Sequence, residues 1–139
     1  MIEVSSAPEI ADFEIPIDSW TQPFWDAAAQ ERLLLPRCTD CGRFRWPPGP
    51  FCSHCQSQQL AWVPAGPGRI YSFTIVRDFP PDGSAVIHVP ALIEFPECEG
   101  IRLIGAIVDT PVDALRIGAV VIVAWSPAAN AMVPVFRLG

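Results

Sequence analysis

A chain of 139 residues, 50% hydrophobic and 17% charged, has the composition of one domain or two very small ones, and wholesale disorder is excluded. Its sixteen prolines leave few stretches able to carry a long helix, because each removes a backbone donor and crowds the preceding turn, so a helical bundle is excluded as well. The net charge of −6 hides a pattern: residues 1–31 hold seven acids and no base, residues 32–77 six arginines and the single acid Asp40, and residues 78–139 seven acids and three arginines.

All nine basic residues are arginine, so Schiff-base chemistry through lysine is excluded. The single-sign middle segment is a candidate anion site, since guanidinium forks pair bidentately with phosphate or carboxylate. The first sixteen residues lack the basic and apolar regions of a signal peptide. The longest apolar run, near 119–125, is far short of the roughly 20 residues a membrane helix needs. Four of the five cysteines sit in two close pairs, which without a secretory signal reads as metal binding in a reducing compartment. A cytoplasmic protein with no membrane contact is expected.

Residues 1–18 mix acids with Pro8 and Pro16, show no periodicity and read as a loose arm. Thr21 is placed to cap a short helix, with Pro23 in its first turn, where a missing N–H is harmless, and three alanines behind it. That helix is expected to run to about Glu31. Trp20 and Phe24 share one face with Ala28, and Trp25 lies beside them; they cover either the chain's own core or a partner.

Residues 69–77 alternate, are rich in β-formers and read as one strand. Residues 90–95 and 101–108 look like a hairpin with its turn at 97–100, residues 111–116 like one helical turn stopped by Gly118, and 119–125 and 132–137 like two further strands. Five short strands with a helical turn between the third and fourth suit a small closed barrel. The divisions expected are 1–35 for the arm and helix, 36–62 for a cysteine module and 63–139 for the barrel.

The strongest signal is Cys38-Thr-Asp-Cys41 followed, after ten residues, by Cys52-Ser-His-Cys55. Each pair can wrap a tight knuckle with both sulfurs on one side of a tetrahedral ion, and four thiolates make a closed structural zinc site with no position for substrate. Gly42 stands where the backbone turns back toward the metal and positive φ is favoured. With the sulfur set complete, His54 is expected to face solvent. Cys98, between Glu97 and Glu99, has a suppressed thiolate and no histidine partner, and His88 reads as an ordinary strand residue. No nucleophile elbow, phosphate-binding glycine loop or carboxylate pair at helical spacing is present, so no catalytic residue is assigned.

The order of short helix, four-cysteine ribbon and five-strand barrel resembles a bacterial and archaeal family built from a rubredoxin-like zinc ribbon followed by an OB-fold and associated with acyl-CoA metabolism. The resemblance is carried by Pro23-Phe24-Trp25, by Arg37-Cys38-x-x-Cys41-Gly42, by Arg45-Trp46-Pro47-Pro48 and Cys52-x-x-Cys55, by the run from Gly68 to Thr74, and by Arg116-Ile117-Gly118 and Pro134-Val135-Phe136. One departure is Gln56, where the family more often has glycine after the fourth cysteine. The resemblance implies a mainly β fold and a non-catalytic accessory subunit. Such a subunit pairs with a thiolase-fold enzyme (a thiolase, an acyltransferase or a retro-aldolase) and helps to bind or hand over its acyl-CoA.

On that reading Arg37, Arg43, Arg45 and Arg69 meet the CoA phosphates, Phe44 and Trp46 stack on adenine or line the pantetheine path, and Trp20, Phe24 and Trp25 dock on the partner. A single-stranded nucleic-acid module is the alternative, since ribbons and OB-folds both serve that role and Arg43-Phe44-Arg45-Trp46 imitates its basic-aromatic pattern. The acidic balance opposes it. A self-sufficient thioester hydrolase or transferase lacks its nucleophile–base pair, and a pure scaffold is the remaining reading.

Overall fold

The computed structural model describes residues 2–139. In chain order it holds the helix α1 (Gln22–Ala28), the strands β1 (Leu34–Cys38), β2 (Leu60–Pro64), β3 (Gly68–Phe73), β4 (Val76–Asp78), β5 (Val86–Glu94) and β6 (Arg102–Ile107), a 3-10 turn at Val112–Ala114, and the strands β7 (Val120–Pro127) and β8 (Met132–Leu138). Strands β1 and β2 form an antiparallel ribbon, while the remaining strands run in the order β3-β7-β8-β6-β5-β4. The sheet closes on itself because β3 also pairs with β5, and the one parallel pairing joins β6 to β8. This is a five-strand OB barrel with β4 as a short extension, as the strand count and the helical turn implied.

Alternation builds the core. On β5, Ile87, Val89, Ala91 and Ile93 point inward and are buried, while the residues between them reach the outer face. Phe136 from β8 lies flat on Gly105, where an added Cβ would sit 2.7 Å from its ring. That position is therefore held by the only residue without a Cβ. Leu35, Ala65 and Cys98 join the same buried cluster, so ribbon and barrel share one core.

Three local expectations are corrected. Residues 69–77 are two strands rather than one: Phe73 faces Ala91 and Val76 faces His88 in a continuous register, and the break between them lies opposite Pro90, which has no N–H for the ladder. The α-helix ends at Ala28, not at Glu31. Glu31 and Arg32 donate their amides back to the carbonyls of Ala28 and Ala27, closing the end with Glu31 at φ 56. Thr21 precedes the helix but does not cap it, because its hydroxyl turns back to Asp18, whose carboxylate takes the amides of Trp20 and Thr21.

The N-terminal arm is not loose. Ser5 and Asp109 are tied by Ser5 N–H to Thr110 O and Asp109 N–H to Ser5 O, each 2.9 Å, and the Ser6 amide donates to Ile87 O at 2.7 Å. The Glu3 carboxylate takes both Arg77 donors, at 2.8 and 2.9 Å, which holds it below the usual carboxylate range. Further along, Asn130 clasps the backbone of Ile15 in both directions. Every partner is distant in sequence, so periodicity within the arm carries no trace of them.

Candidate metal centre and the arginines around it

The two cysteine pairs fold into matching knuckles. Cys38 O accepts from Gly42 N–H and Cys52 O from Gln56 N–H, each at 2.8 Å; the Cys38 and Cys52 amides donate to Arg43 O and Ser57 O, again at 2.8 Å. The residue closing each loop has positive φ, 81° at Gly42 and 64° at Gln56. Glutamine thus adopts the glycine conformation, and the second knuckle keeps its geometry. A non-glycine residue there costs about 1 kcal/mol, partly offset by the greater unfolded freedom of glycine. Denaturant melts should show Gln56→Gly stabilised by about 0.5 kcal/mol and Gly42→Ala destabilised by about 1 kcal/mol.

All four Sγ atoms of Cys38, Cys41, Cys52 and Cys55 lie within 4.8 Å of one another, with Cys38 to Cys55 at 3.5 Å and Cys41 to Cys52 at 3.7 Å. A tetrahedron with Zn–S bonds of about 2.3 Å has edges of about 3.8 Å, close to the two short separations, so the four residues suit zinc. The amides of Cys55 and His54 pull the Cys52 thiol down to about 6. The Ser57 amide lowers Cys55 too, but burial and its three neighbouring sulfurs push it up to about 12. Four crowded sulfurs cannot all ionise by themselves; a bound dication resolves that conflict, and zinc requires the thiolate form. His54 is exposed, as the complete sulfur set implied. Ser57 links the knuckles, donating its hydroxyl to the Asp40 carboxylate.

The arginines expected to form one CoA-binding cluster do not converge. Arg45 is buried at 8% exposure, with Nη1 donating to Ser57 O at 3.2 Å and Nη2 to Gly49 O at 3.1 Å. It therefore fastens the second knuckle to the proline loop, and its assignment to CoA is corrected. Losing two charged hydrogen bonds in a buried setting costs about 3 kcal/mol, so Arg45→Ala should lower the melting temperature and loosen the metal. Arg45→Lys should rescue little, because an ammonium lacks the fork that spans both carbonyls.

Arg37, exposed on β1, pairs with Phe44 across an isolated bridge, and Phe44 packs against the shared core. Arg43 and Phe44 line a groove of about 610 Å³ whose far wall carries Glu97 and Glu99. Trp46 packs on Phe24, ring centroids 4.8 Å apart, and on the shared core. Arg69 is exposed on β3, opposite Glu94 of β5 and Val120 of β7.

The aromatic surface assigned to a partner is corrected at one position. Phe24 is only 4% exposed, held between Trp46 and Trp25, whereas Trp20 is 36% exposed and Trp25 half-buried. Cys98 is buried, its thiol directed at Ala65 O, and burial with Glu97 alongside pushes that thiol up. An aromatic–cation contact escaped the sequence reading: Arg102 lies 3.7 Å over the Tyr71 ring. Tyr71 sits at the register shift between Ile70 and Ser72, which single-strand alternation cannot locate.

Two family models match adjoining parts of the chain: "ChsH2, rubredoxin-like zinc ribbon domain" over residues 25–61 and "ChsH2, C-terminal OB-fold domain" over 62–126. A solved chain titled "Ltp2-ChsH2(DUF35) aldolase" is 35% identical, with a TM-score of 0.76, and the match covers 90% of this chain and 98% of that one. A DUF35-family protein of unknown function from Sulfolobus solfataricus shares the fold at 19% identity and a TM-score of 0.65, covering 88% of this chain and 85% of that one. A curated relative from Thermomonospora curvata, "Probable enoyl-CoA hydratase alpha subunit", is 38% identical over 117 residues, which is 82% of this chain. The match spans only 36% of that relative's length.

Proposed function

The chain belongs to the ChsH2 family of joined zinc-ribbon and OB-fold domains, and from that premise we propose that it is a non-catalytic accessory subunit of a thiolase-fold enzyme acting on an acyl-CoA. The observation that carries the reading is the likeness, over 98% of its length, to a chain of an aldolase named for two components. The relatives supply a second support. One is titled an aldolase and the other a probable hydratase subunit, yet both contain the segment matched here. A segment common to different reactions supplies something other than the bond chemistry, and help with a shared acyl-CoA is the simplest such service.

The residues agree with that division of labour. Four cysteines are committed to the metal cluster, the fifth is buried with a raised pKa, and a closed four-sulfur site offers substrate no coordination position. The zinc is structural: it fixes the knuckles that carry Arg43 and Phe44 beside the barrel. Among the described residues no helix is long and apolar enough to cross a membrane.

The test is co-expression with a thiolase-fold protein encoded beside it. The two chains should elute together, and acyl-CoA turnover should fall at least tenfold, about 1.4 kcal/mol in barrier, when this chain is omitted. Separate elution, or a partner fully active alone, overturns the proposal. Tight binding of single-stranded oligonucleotide at physiological salt would favour the nucleic-acid reading instead, against a net charge of −6.

A further inference from the structure

The ribbon arginines make a poor phosphate seat: Arg45 is buried and committed to carbonyls, and Arg43 looks across its groove at Glu97 and Glu99. A second groove, of about 340 Å³, has the opposite character. One wall is the connector 64–68 (Pro-Ala-Gly-Pro-Gly) and the other is β7, with Leu33 at the ribbon end. Val120 and Ile122 line it while remaining 48% and 42% exposed. On a strand these two are outward-facing positions, where polar residues are the rule and apolar ones invite cover.

Cross-strand register frames this apolar strip with positive charge. Arg69 of β3 pairs with Val120, and Arg137 of β8 pairs with Ile122, so both guanidiniums rise from the same outer face on either side of β7. Two strand spacings of about 4.8 Å separate their strands. The one ion pair within 4.0 Å among the described residues is Arg77 with Glu3, so neither flanking arginine is committed to a carboxylate. Glu94 faces Arg69 from β5, and the Glu97 carboxylate lies against Gly66 at the connector. The groove is thus apolar in its lining, with the Glu97 carboxylate against its connector wall, while Arg69 and Arg137 stand outside the lining on the strands to either side of β7.

We infer that this groove, and not the ribbon face, seats the CoA moiety of the acyl-CoA, with the pantetheine arm on Val120 and Ile122 and the phosphates on Arg69 and Arg137. The inference deepens the accessory-subunit reading and rests on it. Charge and shape select the occupant. A narrow apolar bed on β7 with a guanidinium on the strand at each side suits a slender chain that carries anionic groups. A nucleic-acid strand needs exposed aromatic platforms, whereas the groove's aromatics, Phe95 and Phe136, are buried in its floor.

The test titrates free CoA into the isolated full chain, following the methyl resonances of Val120 and Ile122. Those resonances should shift. The pair Arg69→Ala and Arg137→Ala, and separately Ile122→Asp at its exposed position, should each weaken binding about tenfold or more, while Arg43→Ala stays within about twofold. In the co-expressed complex the double arginine variant should raise KM for the acyl-CoA about tenfold with kcat little changed. Loss of binding in Arg43→Ala alone, or no binding of CoA at millimolar concentration, overturns the inference and leaves the accessory role standing. Release of the partner by the double variant, with CoA affinity intact, would make the groove a protein seat and overturns it too. A chain that binds CoA in the groove but never co-elutes with a thiolase-fold partner removes the accessory reading instead.

Discussion

Replacing Cys38 and Cys52 together by serine is expected to abolish zinc retention and to collapse the ribbon, with a lower melting temperature for the whole chain. The segment between β1 and β2 has little apolar burial of its own: of its cysteines only Cys52 is buried, Phe44 and Trp46 lean on the core, and the rest is largely prolines, polar residues and an exposed Phe51. What holds it is the metal, which contributes on the order of 10–16 kcal/mol in small zinc modules, against the roughly 5–15 kcal/mol by which a domain is stable. The effect should spread, because Leu35, Phe44 and Trp46 pack into the barrel's core. Elemental analysis should find about one zinc per unmutated chain and none in the double variant. A thermal melt with and without a strong chelator should reproduce the difference in the unmutated protein. A double-serine protein that melts like the parent would show that the four sulfurs carry no structural metal.

The metal centre was legible because its information is local. Two Cys-x₂-Cys pairs each close through bonds within six residues, so spacing alone sets the geometry. The barrel was legible from its five apolar, β-rich stretches and the helical turn between the third and fourth, although the strand expected at 90–95 spans Val86–Glu94 and its inward residues include Ile87 and Val89. The arm and the arginines were not, because their roles depend on partners far along the chain. Nothing near Ser5 announces Thr110, and nothing in Arg43-Phe44-Arg45-Trp46 says that Arg43 stays exposed while Arg45 is sealed under the proline loop. Charge counted along the sequence grouped Arg37, Arg43, Arg45 and Arg69 as one cluster; the fold distributes them over the ribbon, its interior and the barrel. A usable signal did exist at residues 119–125, which run apolar without alternation. In a strand that pattern means apolar side chains on both faces, and the outward pair Val120 and Ile122 is where it leads.

The helix divides by the same logic of buried against exposed, and two substitutions separate its roles. Phe24 is wedged between Trp46 and Trp25 and nearly sealed from solvent, while α1 packs on β1 and β8. Truncating it removes an aromatic anchor that ties helix, ribbon and barrel together and leaves a cavity, so Phe24→Ala should cost about 3–5 kcal/mol. Measured as a melt of the isolated chain, that loss is large whether or not a partner exists. Trp20 has no such commitment. At 36% exposure its truncation should change stability by no more than about 0.5 kcal/mol. If α1 is part of the docking face, however, Trp20→Ala should weaken association with the thiolase-fold partner by tenfold or more, about 1.4 kcal/mol, since exposed tryptophans are the residues that interfaces bury at their centres. Melting of each variant alone, followed by size-exclusion chromatography of each with the partner, reads both effects. A Phe24→Ala protein with the parent's melting temperature would return that residue to the docking face, and a Trp20→Ala protein with undiminished association would move the interface off the helix.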